Sequence, residues 1–402
     1  MRCFAFIGAA ALISIPCGAS AQNETAPPEA EHGAASCTTA IASIDKDFPT
    51  GAFADCRVLA DNRIELTIAP EDPGKINCSA WYAFRITPRE AKRITVKLDY
   101  TTCGHRYRPK TSTDGVNWKY LRSKDVTVEG KRGERTAELR LKLGKKPLFV
   151  AAQEITPPSV YDAWMDRVEK NPEVTRALLG KSAQGRDIER ITIGNPDARE
   201  QVALFGRQHP PEVSGALAMF PFMETLMADT PLAQRFRERF LVTAVPLTNP
   251  DGVVLGYWRH STGGVDLNRD WGPFTQPETR LLRDLLAAMD EDPEKDLRLM
   301  LDFHSTANDV FYTIPDELPT DPELFTAKWL ARYEDRMGQY EVNRDARHKV
   351  GRPISKAYVY DTYGAPAVTF EIGDETDRKL IRKIGRESAI AMMEELLATP
   401  AQ

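Results

Sequence analysis

The stretch RQHPPEVSG at 207–215 sets a histidine and a glutamate, His209 and Glu212, three positions apart with two prolines between them. Imidazole nitrogen and carboxylate are both metal donors, and both can move protons. With six histidines and 58 acidic residues in 402, one such pair arises by chance, so other residues must decide its meaning. Proline is costly in a helix interior but tolerated in a first turn, where a missing N–H costs nothing. His209 and Glu212 can then face one point from a tight strand-to-helix turn, and a third donor must come from elsewhere. His304, at the end of the apolar run LRLMLDFH, is the natural candidate, although a histidine there also suits a satisfied core position. Two histidines and one glutamate make a catalytic zinc set that leaves a fourth position for water. Glu371, closing AVTFE, is harder to explain by packing, because a buried carboxylate needs a partner or a raised pKa. The segment TNPDGVVLGYWRHSTGGVDLNRDW at 248–271 reads as loop with a turn at NPDG, and it delivers Arg259, Asn268 and Arg269 close together. His105, His260 and His348 stand in polar stretches and read as surface residues.

The candidates fall at the ends of apolar strands, where sites gather in open α/β sheets. QVALFG, FLVTAVPLTN, LRLMLDFHS and AVTFEIG read as strands. YDAWMDRVEKN, SGALAMFPFMETLMA, PETRLLRDLLAAM and KLIRKIGRESAIAMMEELLA carry helical periodicity. Their alternation predicts an α/β domain over residues 154–402, a mixed sheet with flanking helices. Before it, RIELTIAP, AWYAFRITP, RITVKLDY, TAELRLKLG and PLFVAAQ are short strands punctuated by turns such as Asp114-Gly115. They predict a small all-β sandwich over residues 37–153. Between residues 57 and 146, 21 Lys and Arg face 11 Asp and Glu, in a chain whose net charge is −5. That excess reads as a solvated sheet face or as a surface for anionic partners.

The opening MRCFAFIGAAALISIPCGASAQ has one arginine, an apolar run too short to span a bilayer, and Ala19-Ser20-Ala21 before Gln22. It reads as a secretory signal over 1–21, followed by a linker over 22–36, and it places the protein in a periplasm or outside the cell. A lipoprotein anchor at Cys17 is the competing reading, weakened by Pro16. The mature chain keeps Cys37, Cys56, Cys78 and Cys103, an even number that predicts two disulfides without choosing among three pairings.

In order along the chain stand HPPE at 209–212, NPDG at 249–252, WR at 258–259, DLNRDW at 266–271, DFHS at 302–305 and TFE at 369–371. Here the sequence resembles the zinc metallocarboxypeptidase A/B family. NPDGVVLG followed by R and G.DLNR, with AWYAFRI in the preceding β-region, resembles the cytosolic, deglutamylase-like branch. The resemblance implies one Zn²⁺ per chain held by His209, Glu212 and His304. It implies that Glu371 takes a proton from water and passes it to the leaving amine, and that Arg259 stabilises the oxyanion. It also implies that Arg269, helped by Asn268, grips a terminal carboxylate, the feature that makes an exopeptidase. Asp302, two residues before His304, reads as an orienting carboxylate or as a strand-end acid.

The pattern departs from the family in one respect and leaves another open. The mobile tyrosine expected near His348-Lys349 is missing, and of Tyr358, Tyr360 and Tyr363, Tyr360 is the choice. Ungapped counting puts Lys356 at the base of the side-chain pocket, with Arg352 close by. Those cations favour an acidic terminal residue. The expected partners are peptides or peptidoglycan-derived stem peptides, with no nucleic acid and no membrane span. An amidase or deacylase on the same scaffold and a binding module without turnover are the alternatives.

Overall fold

A computed structural model describes residues 36–74, 77–131, 134–290 and 295–401. The expected signal, and the expected linker apart from Ser36, lie outside the described residues. Among the described residues no helix is long and apolar enough to cross a membrane.

The β-rich region folds as two sheets. One has six strands, ordered Ser36–Thr38, Ala42–Asp45, Ala83–Pro88, Leu148–Ala151, Lys110–Ser112 and Lys119–Tyr120. The other has five, ordered Asp55–Ala60, Arg63–Ile68, Arg93–Tyr100, Thr136–Lys142 and Val126–Glu129. Alternation does the sorting: Ile94, Val96 and Leu98 point inward from one strand and meet Ile44, Phe84, Ile86 and Val150 in a common core. Disulfides join Cys37 to Cys56 and Cys78 to Cys103, the pairing that sequence left open. Val213 and Trp258, from beyond this region, also pack into its core.

The third sheet has eight strands: Val174–Lys181, Asp187–Gly194, Phe240–Val245, Glu200–Gly206, Asp296–Thr306, Ala367–Gly373, Val310–Thr313 and Arg344–Ala346. Its centre is parallel, with Glu200–Gly206 between Phe240–Val245 and Asp296–Thr306, and Ala367–Gly373 beyond. Both faces are covered, which is why these strands read as continuous apolar runs. Val202 and Leu204 face a core built with the helices Val213–Leu226 and Arg378–Ala398, while Ala203 and Phe205 face Pro277–Asp290. The last helix is capped by Asp377, whose carboxylate accepts the N–H groups of Lys379 and Leu380.

One expectation changes. NPDGVVLG forms a helix, Pro250–Leu255, instead of a plain turn. Asn249 Oδ1 caps it by accepting the Gly252 N–H at 2.9 Å, and Gly256 ends it at φ 64°.

Candidate metal centre and substrate cleft

The strand Glu200–Gly206 ends in a turn whose two prolines precede the helix, and Glu212 occupies the N-cap position of Val213–Leu226. Its carboxylate makes no cap bond and so is free to turn inward. Arg207, at φ 54° and almost fully buried, pins the turn: Nε donates to the Pro210 carbonyl at 2.9 Å and Nη1 to Tyr161 Oη at 2.8 Å. From the next parallel strands come His304 and Glu371, which are paired across the sheet.

His209, Glu212 and His304 converge, all buried, with one ligand atom from each lying within 4.8 Å of the others. Glu212 Oε1 stands 2.8 Å from His209 Nδ1, and Oε2 stands 2.7 Å from His304 Nδ1. The outer nitrogens face carboxylates: His209 Nε2 lies 2.9 Å from Asp266 Oδ1, and His304 Nε2 lies 2.9 Å from Asp302 Oδ2. Each outer carboxylate holds a proton on Nε2 and so directs the Nδ1 lone pair inward. Two such lone pairs only 3.1 Å apart repel unless a cation lies between them. Two nitrogens, one carboxylate and an open side fit Zn²⁺. Asp302, fully buried, also accepts bonds from Gln208 Nε2 and Ser355 Oγ, which favours the orienting role over a strand-end acid.

Glu371 lies beside this set with Oε2 buried and without a hydrogen-bond partner. Burial first, then the Glu212 charge, push its carboxyl above the usual range. Arg259 is buried, its Nε held by Asp266 Oδ2 at 2.8 Å while Nη1 reaches within 3.4 Å of Glu212 Oε1. Asp266 thus bridges Arg259 and His209. Asn268 accepts the Ser355 N–H at 2.9 Å and sits 3.4 Å from His304 Nε2. Arg269 spends one nitrogen on the Asn268 carbonyl and turns toward the cleft.

The cleft measures about 370 Å³ and is lined by His209, Glu212, Arg259, Asn268, Arg269, His304 and Glu371, together with Lys356. Lys356, expected in a pocket or a solvated loop, is buried on the helix Ser355–Tyr363, where Nζ donates to the carbonyls of Thr313 and Arg347. Burial and then the charges of Arg352 and Arg347 push it down to about 8. Tyr360 does not line the cleft; it packs edge-on against His348 at 4.9 Å. Tyr358 stacks among Trp271 and Phe274 with Tyr363 beside it. The tyrosine lining the cleft is Tyr312, on the short strand Val310–Thr313. No spacing from Glu371 could have found it, since the strand precedes Glu371 by about sixty residues and pairs antiparallel to it.

Two of the three histidines taken as surface residues are otherwise. His260 is buried with Nδ1 3.4 Å from Glu71, and His348 lines the cleft with Nε2 2.9 Å from Asp361. His105 is half-buried and bonds Tyr100 Oη at 2.8 Å. Sequence reasoning also missed Asn77, Ser79 and Arg106, which the β-rich region contributes to the cleft wall. Arg106 is fixed there by Asp374 at 2.6 Å and by the Cys78 carbonyl.

A family model described as zinc carboxypeptidase matches residues 161–391. Cytosolic carboxypeptidase 6 of Homo sapiens is 34% identical over 139 residues, covering 32% of this chain and 28% of that protein. Cytosolic carboxypeptidase 2 of Danio rerio is 34% identical over 150 residues, covering 33% of this chain and 20% of that protein. The chain thus spans less than a third of either relative. A metallo-carboxypeptidase from Burkholderia cenocepacia superposes with a TM-score of 0.75 at 19% identity, covering 88% of this chain and 99% of that one, a likeness of fold.

Proposed function

Since the chain belongs to the zinc carboxypeptidase family, we propose that it is an exported metallocarboxypeptidase that removes single C-terminal residues from peptides and favours acidic ones. The observation that carries this reading is a buried carboxylate oxygen of Glu371 left without a partner beside three converging metal donors. A group kept that way at a cost in stability is suited to changing its protonation state.

His209, Glu212 and His304 hold one Zn²⁺ per chain, which when bound supplies Lewis acidity to the scissile carbonyl and to water. Glu371 takes the proton of the attacking water and delivers it to the leaving amine. Arg259, fixed through Nε, offers its outer N–H groups to the charge that develops on the carbonyl oxygen. Arg269, with Asn268 beside it, pairs with the substrate's terminal carboxylate and so restricts cleavage to the last residue.

The preference for acidic residues rests on the lining. Lys356, Arg347 and Arg352 share the cleft with Arg269, whereas among the described residues its only carboxylates are Glu212 and Glu371. A second carboxylate on the substrate meets opposite charge there. Tyr312, in place of Tyr360, is the tyrosine positioned to meet a ligand. Export is supported by the leader at 1–21 and by two disulfides, which persist in oxidising compartments. Peptides there, including peptidoglycan stem peptides with internal carboxylates, are the substrates in reach. The mature chain divides into a β-sandwich domain at 37–153 and a catalytic domain at 154–402.

Mass spectrometry of zinc-loaded protein with peptides ending in Glu, Gln, Leu, Lys or a D-residue, and with muropeptides, tests this. Single-residue trimming with Glu preferred supports the reading. Cleavage confined to muropeptides moves the substrate to the cell wall, and zinc binding without any cleavage refutes an enzyme.

A further inference from the structure

Glu71 lies in the loop that follows the strand Arg63–Ile68 of the β-rich region, 188 residues from Arg259 in sequence. Its side chain is 6% exposed. Its two oxygens accept three consecutive backbone N–H groups: Trp258 at 2.7 Å on Oε2, and Arg259 at 2.9 Å and His260 at 2.7 Å on Oε1. A carboxylate is costly to bury unless its lone pairs are filled, and bonds from an N–H group to an ionised acceptor are about twice as strong as neutral ones. The backbone on either side of the Arg259 Cα is therefore tied to the β-rich region by charge-assisted hydrogen bonds.

The helix Pro250–Leu255, which leads into Trp258–His260, is gripped as well. Thr50 donates its N–H to the Val254 carbonyl at 2.8 Å, and the Thr50 carbonyl accepts from Trp81 Nε1 at 3.0 Å. Gly256 passes so close that a Cβ there would lie 2.7 Å from Ala52 Cβ and 2.8 Å from the Thr50 carbonyl oxygen. From this anchored backbone the Arg259 side chain runs to Asp266, whose other oxygen faces His209.

We infer that Glu71 is a positioning residue for Arg259, so that the β-rich region sets the oxyanion-stabilising guanidinium and is a working part of the active site. The inference rests on the reading of Arg259 as the oxyanion partner. It predicts an effect on turnover and transition-state affinity, with ground-state binding through Arg269 spared.

The test compares wild type, Glu71→Gln, Arg259→Gln and the double variant, reading kcat, KM, zinc content, thermal midpoint and the affinity of a phosphonate peptide analogue. Glutamine keeps the size of Glu71 but turns an amide N–H toward one of the three backbone donors. Arg259→Gln should lower kcat by ~10²–10³-fold, the usual loss on removing an oxyanion donor. Glu71→Gln should lower kcat about tenfold and weaken the phosphonate about tenfold, with KM within about twofold and zinc content unchanged. In the Arg259→Gln background the Glu71 change should cost nothing further, because both act through one group. Gly256→Ala, which displaces the same loop without removing charge, should show the same selective loss of kcat and the same cancellation. If Arg259→Gln is impaired while Glu71→Gln is silent, or if the two losses multiply in full, Glu71 does not act through Arg259. If Arg259→Gln turns over like wild type, the reading of Arg259 itself fails and the inference falls with it.

Discussion

Replacing Lys356 by Met should change what the enzyme prefers and leave its chemistry in place. The ammonium gives two of its three N–H groups to the Thr313 and Arg347 carbonyls, so one remains for a ligand in the cleft. One hydrogen bond to a charged group contributes ~1.5–3 kcal/mol. At about 1.4 kcal/mol per tenfold, that is a preference of ~10–100-fold for terminal Glu over its neutral isostere Gln. The assay is kcat/KM for two peptides differing only in that residue. The ratio should collapse by this factor in Lys356→Met, while the value for the Gln peptide stays within about threefold. The pH dependence has a definite sign. With its pKa lowered to about 8, Lys356 is charged below that pH and neutral above it. The Glu/Gln ratio of wild type should therefore fall as pH rises from 7 to 9.5, mainly through KM for the Glu peptide, and should stay flat in the variant. A Lys356→Met ratio equal to that of wild type, or a wild-type ratio flat across that range, would refute the reasoning.

Asp302→Asn removes the negative charge that faces His304 Nε2, and loss of such an orienting carboxylate typically costs 10–100-fold in metal affinity. Zinc competition against a chelator measures it, and an unchanged Kd would assign Asp302 to packing alone. Removing Cys78–Cys103, which closes a separation of 25 residues, should cost roughly 3.5 kcal/mol on loop-closure grounds. Urea unfolding of the Cys78→Ser, Cys103→Ser variant checks this, and a loss below ~1 kcal/mol would mean that the surrounding sheets hold the loop without it.

The parallel strands and the donors at their ends were legible because burial on both faces makes apolar runs, and because a strand's last residues are where a parallel sheet opens. His209, Glu212 and His304 meet as their positions suggested. What stayed hidden depends on distance in sequence or on side-chain direction. Glu71 and Arg106 reach the site from a separate β-region, and no local pattern announces a contact spanning 188 residues. Counting back from Glu371 reached Lys356, which lines the cleft, but picked Tyr360, whose place on the same helix turns it toward His348. The two positions lie one helical turn, about 6 Å, apart along the axis, and that step carries Tyr360 past the cleft. His260 read as polar surface because its neighbours are polar, yet the loop carrying it is pressed between the two regions by Glu71. NPDG read as a turn because each of its residues favours one, while the Asn249 cap and the glycine at 256 convert it into a short helix.

The most direct test of a zinc-dependent, Glu371-driven carboxypeptidase is a zinc titration of metal-free wild type and Glu371→Gln, following bound metal and release of the last residue from one Glu-terminated peptide. Both proteins should bind one equivalent, with residue-by-residue trimming appearing in wild type over that first equivalent and nearly absent in Glu371→Gln. Trimming by Glu371→Gln at close to the wild-type rate, or trimming by wild type that is indifferent to zinc, would contradict it.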